Sequence, residues 1–160
     1  MKAPIPFLWF EKEAEEAASF YVSLLPNSRI ERIWTLPVES PSGPAGSVKV
    51  VEFTLGGHAW QAMEAGPLAP FNHAVSFMIE CKDQAEIDKL WDAILKNGGK
   101  EEQCGWIRDR WGLLWQIDPE NMGDLTGNAT NPEGAKRAAE AMMKMVKLDI
   151  AKLRQAYEGA

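Results

Sequence analysis

Two tryptophan-glutamine pairs recur in a shared Gly-x-x-Trp-Gln frame: Gly57 through Trp60-Gln61, and Gly112 through Trp115-Gln116. The shared frame, with the order of elements around it, points to an internal duplication; separately, an indole can wall a small-molecule pocket and an amide can donate and accept, so these four residues are candidates for one. His73 follows Phe71-Asn72 at the start of an apolar run. An imidazole there can serve a pocket as base or hydrogen-bond donor because it titrates near neutral pH. It can equally bond a neighbouring carboxylate and do nothing more. Glu52 lies between Val50-Val51 and Phe53. If Val51 and Phe53 face a helix, Glu52 faces a cleft, where desolvation would raise its pKa; in the opposite register it lies outside. Cys104, in Gln-Cys-Gly-Trp, is expected on a strand near that cleft, more as an ordinary thiol than as a nucleophile. Trp9, Trp60, Trp106 and Trp115 fall on expected strands, and register decides which line a cleft. His58, after a Gly-Gly turn, reads as solvated, and Trp91 as core.

The elements that would position these groups follow from periodicity. Residues 4–10 (PIPFLWF) read as a strand, and residues 11–25 as an amphipathic helix with Ala14, Ala17, Ala18, Tyr21, Leu24 and Leu25 on one face. A strand over 29–36, a turn-rich loop over 37–46 and strands over 47–55 and 58–64 follow, the last two joined by Gly56-Gly57. Residues 66–70 form a linker. The second half repeats the plan: a strand over 71–81, then a helix over 85–96 with Ile87, Leu90, Trp91, Ile94 and Leu95 on one face. Asn97-Gly98-Gly99 ends that helix, and strands over 101–108 and 113–118 follow. A long helix is expected over 133–157, its Met142, Met143 and Met145 suiting core or dimer packing. The second copy is shorter between helix and hairpin, and is expected to lack a full strand.

The chain has 160 residues, 46% of them hydrophobic and 25% charged, a composition suited to one globular domain or two small modules. No apolar run approaches the length of a membrane span, and no basic-then-apolar leader opens the sequence. A net charge of −6 argues against a nucleic-acid partner. The two cysteines, Cys81 and Cys104, give no sign of an oxidising compartment, so a cytoplasmic location is expected.

Duplicated modules of this order resemble the vicinal oxygen chelate superfamily of glyoxalases, bleomycin-resistance proteins and extradiol dioxygenases. Residues 8–10 (LWF), 14–30, 43–57, 71–77 (FNHAVSF) and 103–117 (QCGWIRDRWGLLWQI) are similar to its PhnB-like branch, as is the tail ending LDIAKLRQAY. The resemblance implies an α+β fold: two βαβββ modules, about 3–66 and 71–120, forming curled mixed sheets around a cleft, plus the long C-terminal helix. It also implies a divalent metal held by side chains from the first and last strand of each module. At those positions this chain has nothing suitable near residues 5–7, then Gln61, His73 and Gln116. Neutral amides are weak ligands, so no tightly bound metal and no cofactor are expected. The 3-demethylubiquinone-9 3-methyltransferase label carried by this branch finds no support in a glycine-rich strand-to-helix turn for a methyl donor. The expected function is binding of a small apolar or aromatic molecule in the cleft. The alternatives are a glyoxalase- or dioxygenase-like enzyme with a weak metal site, and a structural dimer with a vestigial cleft. The expected partners are that small molecule and a second copy of the chain, whose edge or helix would cover the shortened sheet.

Overall fold

Apolar residues at every second position bury Val51, Phe53 and Leu55 on one side of the strand Lys49–Leu55, and a helix lies on that side. That relation organises the first half of the computed structural model, which describes residues 3–127 and 129–159. The chain divides into two units, Met1–Pro70 and Phe71–Ala160, at the expected linker.

The first unit runs β1 (Phe7–Phe10), α1 (Ala14–Leu24), β2 (Arg29–Thr35), β3 (Lys49–Leu55) and β4 (His58–Glu64). Its sheet order is β1-β4-β3-β2, with β1 parallel to β4 and the other pairs antiparallel. Helix α1 buries Ala14, Ala17, Ala18, Tyr21 and Leu24, the expected face. Glu64 caps it from β4, its carboxylate accepting from the Ala14 amide at 3.1 Å. Gly56 and Gly57 both have positive φ, as a two-residue hairpin turn between antiparallel strands requires. The edge strand β2 is exposed along most of its length and carries Arg29, Glu31 and Arg32, charges that discourage edge-to-edge pairing.

The second unit repeats this topology with β5 (Phe77–Cys81), α2 (Gln84–Lys96), β6 (Lys100–Glu101), β7 (Trp106–Arg108) and β8 (Leu114–Pro119), in the order β5-β8-β7-β6. Asp83 caps α2 through the Glu86 amide, and Ile87, Leu90, Trp91 and Ile94 are buried. Three expectations are corrected. No strand is missing: the shorter copy keeps four strands by reducing β6 and β7 to two and three residues around a tight turn. The strand expected over 71–81 begins at Phe77. The single helix expected over 133–157 is broken into α4 (Pro132–Met142) and α5 (Ile150–Glu158), after a short α3 (Met122–Thr126). Asp149 caps α5 through the Lys152 amide, a start signal that periodicity alone passes over. Leu125, Leu148 and Leu153 form the core that joins these helices.

A buried carboxylate fixes the turn into β8. Asp109, 3% exposed, accepts from the Trp111 and Leu113 amides and from Trp115 Nε1, all at 3.0 Å. Replacing Asp109 by Ala leaves three donors without their acceptor. Chemical denaturation should show a loss of about 3 kcal/mol or more; a loss under about 1 kcal/mol would mean that the turn does not depend on Asp109.

Candidate functional site

In each unit one sheet face carries the helix and the other does not, and the pairing register assigns every strand residue to one or the other. Trp60 pairs with Phe53 and stacks on it at 6.1 Å between ring centroids, and Trp115 pairs with Ile107. Both tryptophans are buried, at 9% and 1% exposure. The register places both on the helix faces, so neither is a wall of a cleft. Their neighbours Gln61 and Gln116 fall on the opposite faces. The expectation that Trp60, Trp115, His73 and Glu52 border one concavity is corrected on this ground.

On the helix-free face of the first unit, Gln61 lies between Phe7 and Glu52 in register, and Trp9 lies beside Met63. Trp9 Nε1 donates to the Gly66 carbonyl at 2.8 Å. Glu52 takes the register expected for a cleft residue, because Val51 and Phe53 face α1. Its charge state is the reverse of the expectation. Arg32 donates to both of its oxygens, at 2.7 and 3.2 Å, and Trp34 Nε1 donates at 3.0 Å. The Arg32 and Trp34 hydrogen bonds outweigh burial and hold the carboxyl below its ordinary range. Arg32 and Trp34 were not legible as partners because a bulge in β2 between Ile30 and Arg32 shifts the register.

On the corresponding face of the second unit, Gln116 lies between Met78 and Trp106, and its amide donates to Ser76 Oγ at 2.7 Å. His73 flanks the same tryptophan, its ring centroid 6.4 Å from that of Trp106. His73 Nε2 is 2.7 Å from Glu102 Oε2, while Arg108 donates to Glu102 Oε1 through Nε at 2.9 Å and Nη2 at 2.7 Å. Burial pushes the Glu102 pKa up, but the bonds from His73 and Arg108 prevail and hold it down. Glu102 is therefore an anion, and it assigns the donating hydrogen to His73 Nε2. His73, Glu102, Gln103, Cys104 and Trp106 line a pocket of about 520 Å³. Glu102, Gln103 and Arg108 were missed by the sequence reading. The signal was available: opposite charges at the two ends of a tight hairpin, beside a histidine-bearing segment.

The two thiols differ. Burial first, then the negative charges of Glu86, Asp118 and Asp83, raise the Cys81 pKa to about 12, which makes it inert. Cys104 stands on a turn rather than the expected strand, in a left-handed conformation at φ 59°, with Sγ 3.8 Å from Met143 Sδ. His58 is exposed, as expected for a turn residue, and Trp91 is core.

The donors do not fit the metal that the fold's metalloenzymes hold. Glu64 caps α1, Glu52 is paired with Arg32, and His73 Nε2 is engaged by Glu102. Among the described residues, no three His, Cys, Asp or Glu side chains gather as ligands. The turns entering α1 and α2 are Glu11-Lys12-Glu13 and Lys82-Asp83, without the glycines that bring a backbone up to a dinucleotide or methyl-donor cofactor.

Solved structures define the fold. The chain is similar in fold to FosX, a fosfomycin resistance protein from Mesorhizobium loti (12% identity, TM-score 0.51, 73% of this chain and 90% of that one). Glyoxalase I from Leishmania major matches at 14% identity and TM-score 0.51, over 81% of this chain and 94% of that one. These likenesses show the fold alone. Residues 2–118 match the family described as 3-demethylubiquinone-9 3-methyltransferase, and the chain belongs to that PhnB-like family. A similar structure within it is a PhnB protein from Bacillus cereus, described as a putative 3-demethylubiquinone-9 3-methyltransferase. It is 28% identical at TM-score 0.62, over 74% of this chain and 99% of its own. No curated protein is similar enough to count as a relative.

Asp118, on the same face of β8 as Gln116, is 7% exposed, and burial raises its pKa to about 6, with the Glu80 charge adding to the effect. A carboxyl whose pKa is raised on folding stabilises the protein most below its unfolded value, and that contribution is lost as pH climbs to about 6. Asp118→Asn should remove the loss. Relative to wild type it should gain up to about 3 kcal/mol at pH 7 over its value at pH 4, read by denaturant unfolding at both pH values. An identical pH dependence in both proteins would show that Asp118 is well solvated.

Proposed function

We propose that the protein binds a small apolar or aromatic molecule in the second unit's pocket without a tightly held metal. The observation that carries this reading is the pocket of about 520 Å³ with Trp106 as a wall and the His73–Glu102–Arg108 chain beside it. The volume lies in the range of ordinary ligand sites. Trp106 offers a face for a flat ring, and the fixed imidazole and carboxylate offer polar groups that orient it. A rigid arrangement of this kind raises affinity because little rotamer freedom is left to lose on binding. The donor set argues against the glyoxalase- or dioxygenase-like alternative, because its carboxylates are neutralised by Arg32 and Arg108 rather than open to a cation.

Part of the same reading is a homodimer in the cytoplasm. With all four strands present, the second sheet does not call for a partner's edge. What supports it is apolar side chain left exposed on the helix-free sheet faces, Phe7 at 51% and Met78 at 54%. No helix among the described residues is long and apolar enough to cross a membrane, and both cysteines are free thiols.

Titrating the protein with N-phenylnaphthylamine, a neutral dye that brightens in apolar sites, tests the pocket. Wild type should bind it saturably and Trp106→Ala should lose most of the affinity; equal binding by both would place the ligand elsewhere. Metal analysis of protein purified without chelator should find well under one equivalent of Zn, Ni, Fe or Mn. A stoichiometric metal lost on His73→Ala would instead establish the enzyme alternative. Light scattering should report a dimer at micromolar concentration, and a stable monomer there would remove that part of the reading.

A further inference from the structure

The family match ends at residue 118, so helices α3–α5 lie beyond it. The segment between α4 and α5 is docked on the turn that lines the pocket. Cys104 N donates to the Met145 carbonyl and Gly105 N to the Val146 carbonyl, each at 2.8 Å. Three residues further along, Leu148 is fully buried. Gln84, at the start of α2, clasps the same segment from the other side, donating to the Leu148 carbonyl at 3.0 Å and accepting from the Ile150 amide at 2.9 Å.

The turn itself shows how closely this segment is fitted. Gly105 has φ +81°, and a Cβ built on it would lie 2.8 Å from both Asp118 Oδ1 and Leu148 Cδ1. Cys104 is held in the left-handed region, a conformation that a side-chain-bearing residue keeps only when its surroundings impose it. Cys104 and Gly105 are the central pair of a two-residue turn closed by the Trp106 amide on the Gln103 carbonyl at 3.1 Å, which puts both at positive φ, and the Met145 and Val146 carbonyls accept the amide hydrogens of that pair. Met143 then rests on the Cys104 thiol, sulfur to sulfur at 3.8 Å.

From this we infer that the C-terminal extension is part of the ligand site: it fixes Gln103 and Cys104 as one wall of the Trp106 pocket, and Met143, behind that wall, is a residue that sets its ligand preference. The inference rests on the small-molecule reading above. The chemistry it favours is a flat, apolar ring, with its face on Trp106 and its edge toward the Cys104 thiol, since sulfur makes favourable contacts at aromatic edges. A relative without the extension would have a looser 103–105 turn and a different pocket on the same fold.

Two variants and two readouts test this. Met143→Ala changes a side chain that is 65% exposed, so folding is not at risk, and Gly105→Ala forces the turn and the 145–148 segment apart. The first readout is N-phenylnaphthylamine affinity. The second is the rate at which dithiodipyridine labels Cys104 in the native protein; Cys81, buried with its pKa pushed to about 12, stays silent. Both variants should label several-fold faster than wild type, and both should bind the dye several-fold differently from wild type while Met143→Ala keeps the wild-type melting temperature. Dye binding that requires Trp106 yet is unchanged in both variants, with unchanged labelling, overturns the inference and leaves the pocket reading standing. Dye binding that is absent in wild type, or indifferent to Trp106→Ala, overturns the pocket reading and the inference with it.

Discussion

In both units the first strand lies parallel to the last, β1 against β4 and β5 against β8, and that pairing decides what every other residue can do. A parallel neighbour requires the chain to cross over, and the crossover helix covers one sheet face. The other face is left for chemistry. Because side chains alternate, one residue's assignment settles its neighbours'. Trp60 and Trp115 take the helix side in both units, Gln61 and Gln116 the other, so the repeated Trp-Gln pair is a repeated phase. The tryptophan serves the core and the glutamine serves the open face. The recurrence that marks the duplication is thus also a signature of two cores.

What the sequence made legible follows from this. Helices α1 and α2, with the apolar faces expected of them, were readable because 3.6-residue spacing and caps are local signals. The duplication was readable because element order survives large changes in length. The fate of individual strand residues was less so. Glu52 took the register that its apolar neighbours implied, but its charge state depends on Arg32 and Trp34, which reach it across a bulge that no local pattern marks. The break between α4 and α5 was hidden because the apolar spacing continues through it. Asp149 is the feature that marks a new start. Cys104 left its expected strand because the 101–108 segment is folded into the short strands β6 and β7 around a turn with Cys104 and Gly105 at its centre, closed by the Trp106 amide on the Gln103 carbonyl.

The same reasoning explains why a fold used by metalloenzymes need not present a metal site here. A cation needs ligands whose charge is not already compensated. On each helix-free face of this protein the carboxylate nearest the expected ligand positions is held by an arginine through two hydrogen bonds, Glu52 by Arg32 and Glu102 by Arg108. Charge-assisted, two-point pairs of this kind fix side-chain geometry as well as charge.

Asp118 shows what docking the extension must overcome. A carboxyl on β8 that solvent would otherwise bathe is 7% exposed beside Gly105, close to Leu148, and burial raises its pKa to about 6. Keeping it ionised there at neutral pH costs about 3 kcal/mol. Leu148 and Leu153 are each fully buried, and burying one leucine side chain contributes on the order of 2 kcal/mol. Leu153 is buried among the extension's own helices, so it is Leu148, with the Gln84 clasp and the Met145 and Val146 carbonyls, that holds the segment against the 103–105 turn. Protonation of Asp118 removes the electrostatic cost, so docking of the extension is more favourable in acid than at neutral pH.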